Sequence, residues 1–355
     1  MGTALSYCPR RQHLHHRDFP GKKEKTQMTL RKPRAGLTGS GGLSVDMFTQ
    51  QELAEIHRAT LEVLEHTGIF VQKEEARQLF AKHGAIVNEK EKSVKIPPYL
   101  VNEAIASAPE TLYLAGRDPS QDTVLDGRRV TFTCFGEGIT IDDPWTGEHR
   151  PTTKDDLRYI TRIIDSLDCI NVVERAVGSQ EVPPQVQSVH NYEAMVTNTS
   201  KHCFVGPGDG RNLKTMLKMA RAAVGDQRYE TVGSPLSFIT CPVSPLKLVD
   251  DCCDIIMTGA ENDACVCILS MAMAGGSSPV HLTGTLVTHN AEVLAGIVLS
   301  QLTKKGAKVM YGSSTTAMYL KLASACVGSP ELAMINAAVA CLARYYLLPS
   351  WVAGG

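Results

Sequence analysis

Glu137 stands between two glycines, Gly136 and Gly138, directly after the short apolar run Val130–Phe135. Little in its neighbourhood explains a carboxylate by packing. In an enclosed mouth it could hold a cation or exchange a proton; in an open loop it would only cap a turn. His190, in the stretch His190–Asn191–Tyr192–Glu193, is a second titratable candidate, with the structural role of a helix-face histidine as the alternative. Tyr311 ends an apolar run and offers an aromatic wall, which suits an alkylammonium ion through cation–π attraction. Two blocks of small residues accompany these groups, Gly275–Gly276–Ser277–Ser278–Pro279 and Gly312–Ser313–Ser314. Glycine lets a backbone come close to a partner, although such blocks also simply punctuate loops.

These residues need elements to hold them. Thr49 followed by Glu52 makes a capping box, and Leu53, Ile56, Thr60, Leu61 and Leu64 then repeat at helical spacing up to Gly68. A second helix carries Ala76, Leu79 and Phe80, and a third follows Pro97–Pro98. Residues 46–110 therefore read as a small, mainly helical cap. From residue 111 onward the pattern changes. Asp126–Gly127–Arg128 reads as a hairpin turn feeding a strand over 130–135. Further short apolar strands are predicted near 169–175, 202–206, 236–241, 264–272, 308–312 and 347–353, with amphipathic helices between them. Such βαβα alternation implies a parallel sheet with helices outside. The fold class is α/β: a (β/α)8 TIM barrel over 111–355, incomplete at its C-terminus by one strand, with the helical cap in front. In such barrels chemistry sits on the loops after the strands, where Glu137, Ser277 and Ser313 fall.

Composition narrows the function classes. Forty-three per cent hydrophobic and 21% charged residues describe an ordinary globular chain of 355 residues. Residues 1–34 hold nine basic residues against Asp18 and Glu24, while the whole chain carries −1. With no apolar periodicity there, 1–45 reads as a disordered basic head and linker rather than a nucleic-acid arm. No run is long enough for a transmembrane helix. Eleven cysteines without zinc-like spacing or an export signal predict free thiols in the cytoplasm. No Gly-x-Gly-x-x-Gly, nucleophile elbow or HExxH motif is present. The loop Gly206–Pro207–Gly208–Asp209–Gly210 lacks the Lys and Ser/Thr of a P-loop.

Taken together, four segments, FGEGITIDDPWTGEHRPTT, MAMAGGSSPVHLTGTLVTHNAEVLAGIVLSQL, KVMYGSSTTAM and GSPELAMINAAVACLARYYLLPSWVAGG, resemble the trimethylamine methyltransferase family. The opening pattern Phe48–Thr49 to Gly68–Ile69 is similar too, so the resemblance covers roughly 46–355. It implies a (β/α)8 barrel that moves a methyl group from trimethylamine to the cobalt of a corrinoid, with that cofactor carried on a separate partner protein. It implies no directly bound cofactor or metal. A glycine betaine or other quaternary amine methyltransferase without pyrrolysine, or an inactive fragment, are the alternatives. Members that use trimethylamine contain pyrrolysine. The family chain runs on past a Gly–Gly pair, whereas here the sequence stops at Gly354–Gly355. The expectation is that an amber codon for pyrrolysine follows and that the chain as written is inactive. Expected catalytic residues are Glu137, His190 and Tyr311. Gly275, Gly276, Ser277, Ser313, Gly354 and Gly355 are expected on loops facing substrate or corrinoid. A homo-oligomer is the expected assembly.

Overall fold

The computed structural model describes residues 37–38, 46–127, 129–134 and 136–354. Its centre is a six-stranded, all-parallel sheet. The strands are β1 (Val172–Glu174), β2 (His202–Val205), β3 (Leu236–Thr240), β4 (Val266–Ser270), β5 (Val309–Ser313) and β6 (Ser350–Val352), paired in that order. A seventh contribution comes from Thr133, which bridges to Val172 in parallel. The predicted strand over 130–135 is thus reduced to that bridge, and Phe135 lies outside the described residues. The hairpin differs as well. Leu112–Leu114 pairs antiparallel with Thr123–Leu125, and Arg129–Val130 instead pairs with Leu37–Thr38. Leu37–Thr38 thus forms a strand within the segment read as a linker; the rest of 1–45 is outside the described residues.

Alternation along each strand sorts side chains into two cores. Val172, Phe204, Cys265, Cys267, Leu269 and Met310 point inward and form the lumen core, joined from below by Leu112, Leu114 and Leu125 of the hairpin. Val173, Cys203, Val205, Phe238, Val266, Ile268, Val309 and Tyr311 point outward into the larger core under the helices. The hairpin floors the lumen at the N-terminal ends of the strands. It is pinned by Asp122, which is fully buried and accepts from Arg228 Nη2 at 2.5 Å and from the Gly116 N–H at 2.8 Å.

Ten α-helices cover the described chain: α1 (Gln50–Glu62), α2 (Glu74–Lys82), α3 (Pro98–Ser107), α4 (Lys154–Ser166), α5 (Pro184–Val196), α6 (Gly210–Val224), α7 (Asp226–Val232), α8 (Asp250–Glu261), α9 (Leu282–Thr303) and α10 (Pro330–Tyr345). Their starts follow capping chemistry. Thr49 and Thr153 form capping boxes with Glu52 and Asp156, and Ser329 accepts from the Leu332 N–H with Pro330 in the first turn. The first helix continues as a π-helical turn, Val63–Thr67, and stops at Gly68, whose φ of +80° suits glycine.

Two differences from the sequence reading concern the cap. It contains three strands besides its helices, Ile69–Val71, Ile86–Asn88 and Ser93–Lys95. It also shares its sheet with the barrel, because Lys247–Leu248 from the loop after β3 pairs with Ile69–Val71. The helices α1, α2 and α3 all pack on α9. That helix is long and apolar enough to cross a membrane, yet 72% of the qualifying window is buried inside the protein. Gly296 brings it close to β4: a side chain there would start 2.8 Å from Ile268 Cγ2.

Candidate active site

A cavity of about 450 Å³ opens at the carboxyl ends of the strands. Five of the six strands, β2 being the exception, send it at least one residue from their carboxyl ends, as does the Thr133 segment. Thr133, Cys134, Gly136 and Glu137 come first, then Glu174 at the end of β1, Cys241 after β3, Met271 after β4, Ser314 after β5, and Trp351 and Gly354 from β6 onward. A larger hollow, about 860 Å³, lies between the start of α1 and the end of α10. It is remote from these strand ends, on the side where barrels place stability rather than chemistry.

The mouth joins two carboxyl groups, a guanidinium and an indole. Glu137 is ion-paired with Arg175 Nη2, and its Oε1 lies 3.9 Å from where a Gly206 side chain would begin. Glu174 faces into the lumen, half-buried, with its Cγ 3.1 Å from where a Gly136 side chain would start. Any larger residue than glycine at 136 would collide with it and with the Arg175 carbonyl at 2.7 Å. The Glu174 carboxyl has no hydrogen-bond partner among the described residues. Burial, and then the negative charge of Glu137, push its pKa up to about 8, with Arg175 opposing. Trp351 stacks on Phe204, ring centroids 4.2 Å apart, and turns its other surfaces to the cavity. Asn336 of α10 donates to the Ala353 carbonyl, and the Ala353 N–H donates to Ser313 O at 2.9 Å, which holds this last wall in position.

Neither cysteine of the cavity is an activated nucleophile. Burial first, then the nearby carboxylates, raise Cys241 to about 12, and burial raises Cys134 to about 11, so both are thiols near neutrality. Among the described residues no group of three or more His, Cys, Asp or Glu side chains is arranged to hold a metal ion.

Of the residues singled out in the sequence, Glu137 and Gly354 line this cavity. His190 does not. It is exposed on α5, and its Nδ1 lies 3.0 Å from Lys154 Nζ of α4, outside the sheet. Tyr311 is fully buried behind the sheet, where its hydroxyl donates to Asn290 Oδ1 at 2.6 Å and its ring meets His289 edge-on. Strand alternation explains this: Met310, Gly312 and Ser314 share the inward parity, so Tyr311 points out. Ser313 points out too, fully buried, and Ser314 replaces it in the wall. Gly275, Gly276 and Ser277 form a tight turn in which Ser277 Oγ accepts from the Met273 N–H at 3.0 Å, beside the cavity rather than in it. Gly355 lies outside the described residues. Glu174, Arg175, Cys241, Met271 and Trp351 were not singled out by sequence. The available signal was parity, because Glu174 continues the inward series of Val172.

A parallel sheet that curls around an apolar lumen, with carboxylates and an indole at its carboxyl end, is the architecture of a (β/α) barrel. A family model described as trimethylamine methyltransferase (MTTB) matches residues 20–355, and the chain belongs to that family. It is 52% identical over 322 residues to the trimethylamine methyltransferase MttB of Desulfitobacterium hafniense, covering 91% of this chain and 65% of that protein. Similarity to the MttB of Methanosarcina thermophila is 44% over 90% of this chain and 67% of the relative. A glycine betaine methyltransferase of D. hafniense is 30% identical over 87% of this chain and 64% of its own length. The chain thus spans about two thirds of the relatives it matches. Among solved structures, the monomethylamine methyltransferase MtmB of Methanosarcina barkeri matches with a TM-score of 0.52 at 11% identity, covering 84% of this chain and 65% of that one. That likeness is one of fold.

Proposed function

We propose that this chain carries the amine site of a trimethylamine:corrinoid protein methyltransferase. The observation that carries this reading is the unpartnered Glu174 carboxyl in the cavity, opposite the indole of Trp351. A methyl group leaves nitrogen readily only while that nitrogen bears a fourth bond, so the species to be held is a cation. Glu174 and Glu137 supply negative charge for it, and Trp351 supplies a π face for its methyl groups. Arg175 pairs with Glu137 and turns it to one side. Glu174 can release its proton as the cation enters and take one back as the neutral product leaves.

A corrinoid on a separate protein would supply the cobalt that accepts the methyl group. Gly354 and the half-exposed Met271 would face that corrinoid. The described cysteines are all unpaired thiols, which supports a cytoplasmic setting. One atom favours a betaine instead. Arg175 Nε is buried without a hydrogen-bond partner and could serve a substrate carboxylate.

The test is a fluorescence titration of the Trp145→Phe variant, in which Trp351 is the sole tryptophan. Trp145 is 90% exposed, so its replacement costs little. Trimethylammonium is expected to change Trp351 emission saturably and more tightly than glycine betaine. No saturable change with any methylated ammonium would sink the reading, and tighter betaine binding would move it to the second substrate.

A further inference from the structure

Helix α9 is apolar along most of its length, yet one turn carries His289, Asn290 and Glu292, all fully buried. Glu292 reaches the back of the mouth wall. Its Oε2 accepts from the Ser270 hydroxyl at 2.6 Å and the Ser244 hydroxyl at 2.8 Å, and its Oε1 accepts from the Leu246 N–H at 2.9 Å. The donors come from two separate segments, the last residue of β4 and the loop after β3. Each segment also supplies a cavity wall: Ser270 immediately precedes Met271, and the loop to Leu246 begins at Cys241. Leu246 has φ +55°, a conformation a leucine rarely adopts, and its N–H is one of the three groups Glu292 takes. A carboxyl this deep costs stability unless donors surround it, and an apolar side chain would pack there without that cost. Its presence is explained by what it joins.

We propose that Glu292 is a positioning residue for the mouth: by clamping the loop after β3 to the end of β4, it fixes where the Cys241 and Met271 walls stand. It touches neither the cavity nor anything in it, so it acts only through those walls.

The test is pulsed alkylation of the full chain with N-ethylmaleimide, read peptide by peptide by mass spectrometry. Cys134 lines the cavity on a segment Glu292 does not touch, and Cys203 is buried in the outer core, so both report on general loosening. In Glu292→Ala, Cys241 is expected to react about ten-fold faster, with Cys134 and Cys203 unchanged, as suits a local opening on loss of charge-assisted hydrogen bonds. Glu292→Gln keeps an acceptor for the Leu246 N–H and is expected to return Cys241 towards its original rate. An unchanged Cys241 in Glu292→Ala, or equal acceleration at all three cysteines, would overturn the proposal. A second readout, weaker tetramethylammonium binding in Glu292→Ala by Trp351 fluorescence, rests on the proposed amine site. If the unaltered chain binds no cation, that site reading fails while the alkylation result still decides the positioning role.

Discussion

Glu174 and Glu292 are both drawn out of water by the same sheet, from opposite sides, and they are treated differently. Behind the sheet, Glu292 has three donors within 2.9 Å. Inside, Glu174 has none among the described residues and shares its space with a second carboxylate. Burial pushes the pKa of both upward, but donors offset the effect only at Glu292. A satisfied buried carboxyl is part of the scaffold; an unsatisfied one beside a cavity waits for a counter-charge.

The sharpest way to break this contrast is to truncate both. Glu292→Ala strands three donors and is expected to cost about 3 kcal/mol of stability, whereas Glu174→Ala should cost less than about 1 kcal/mol. Thermal unfolding at pH 7 measures both, and equal losses would erase the distinction. Next in size is Trp351→Ala, expected to weaken tetramethylammonium binding about ten-fold, the scale of a partly desolvated cation–π contact. Calorimetry reads this without the tryptophan signal, and an unchanged affinity would remove the indole from the site.

The pH dependence sharpens the comparison further. Glu174 has an ordinary value of 4.5 and a folded value of about 8. Between those values the folded chain keeps a proton that the unfolded chain has lost. The group therefore favours folding fully below pH 4.5, and this contribution is lost as pH rises through about 8. Tetramethylammonium, which does not titrate, should bind more tightly as pH rises through the same region, and Glu174→Gln should flatten that rise. A pH-independent affinity in the unaltered chain would count against Glu174 as the partner. The smallest effects belong to the residues outside the mouth. Tyr311→Phe should cost about 1 kcal/mol through its lost bond to Asn290, and His190→Ala less than about 0.5 kcal/mol. Neither should alter cation affinity; a change in either would reopen its claim to the site.

Much of the scaffold was legible because it obeys short-range rules. The capping box at Thr49 starts a helix as expected, and Thr153 and Ser329 obey the same rule. The apolar runs at 236–241, 264–272 and 308–312 are strands because each is bounded by turn residues. Long-range pairings were not legible. Nothing near Leu112 announces its pairing with Leu125 instead of a turn at Gly127, and nothing near Lys247 announces the cap strand it joins. The site was half legible for the same reason. Glu137 was visible because its flanking glycines leave it little local packing reason, but Glu174 looks locally like any strand-end glutamate. Only its neighbours across β2 and the Gly136 turn make it unusual, and these are set by the fold.

The hydrogen bond from Asn290 to Thr60 joins residues 230 positions apart. Synthesis runs at about 5–20 residues per second, so the first three helices leave the ribosome roughly 10–50 s before the helix that covers them. Through that interval Leu53, Ile56, Leu100 and Val101 have no finished surface to lie against. For that interval the newborn chain carries apolar surface with no partner, and aggregation competes with folding until α9 arrives.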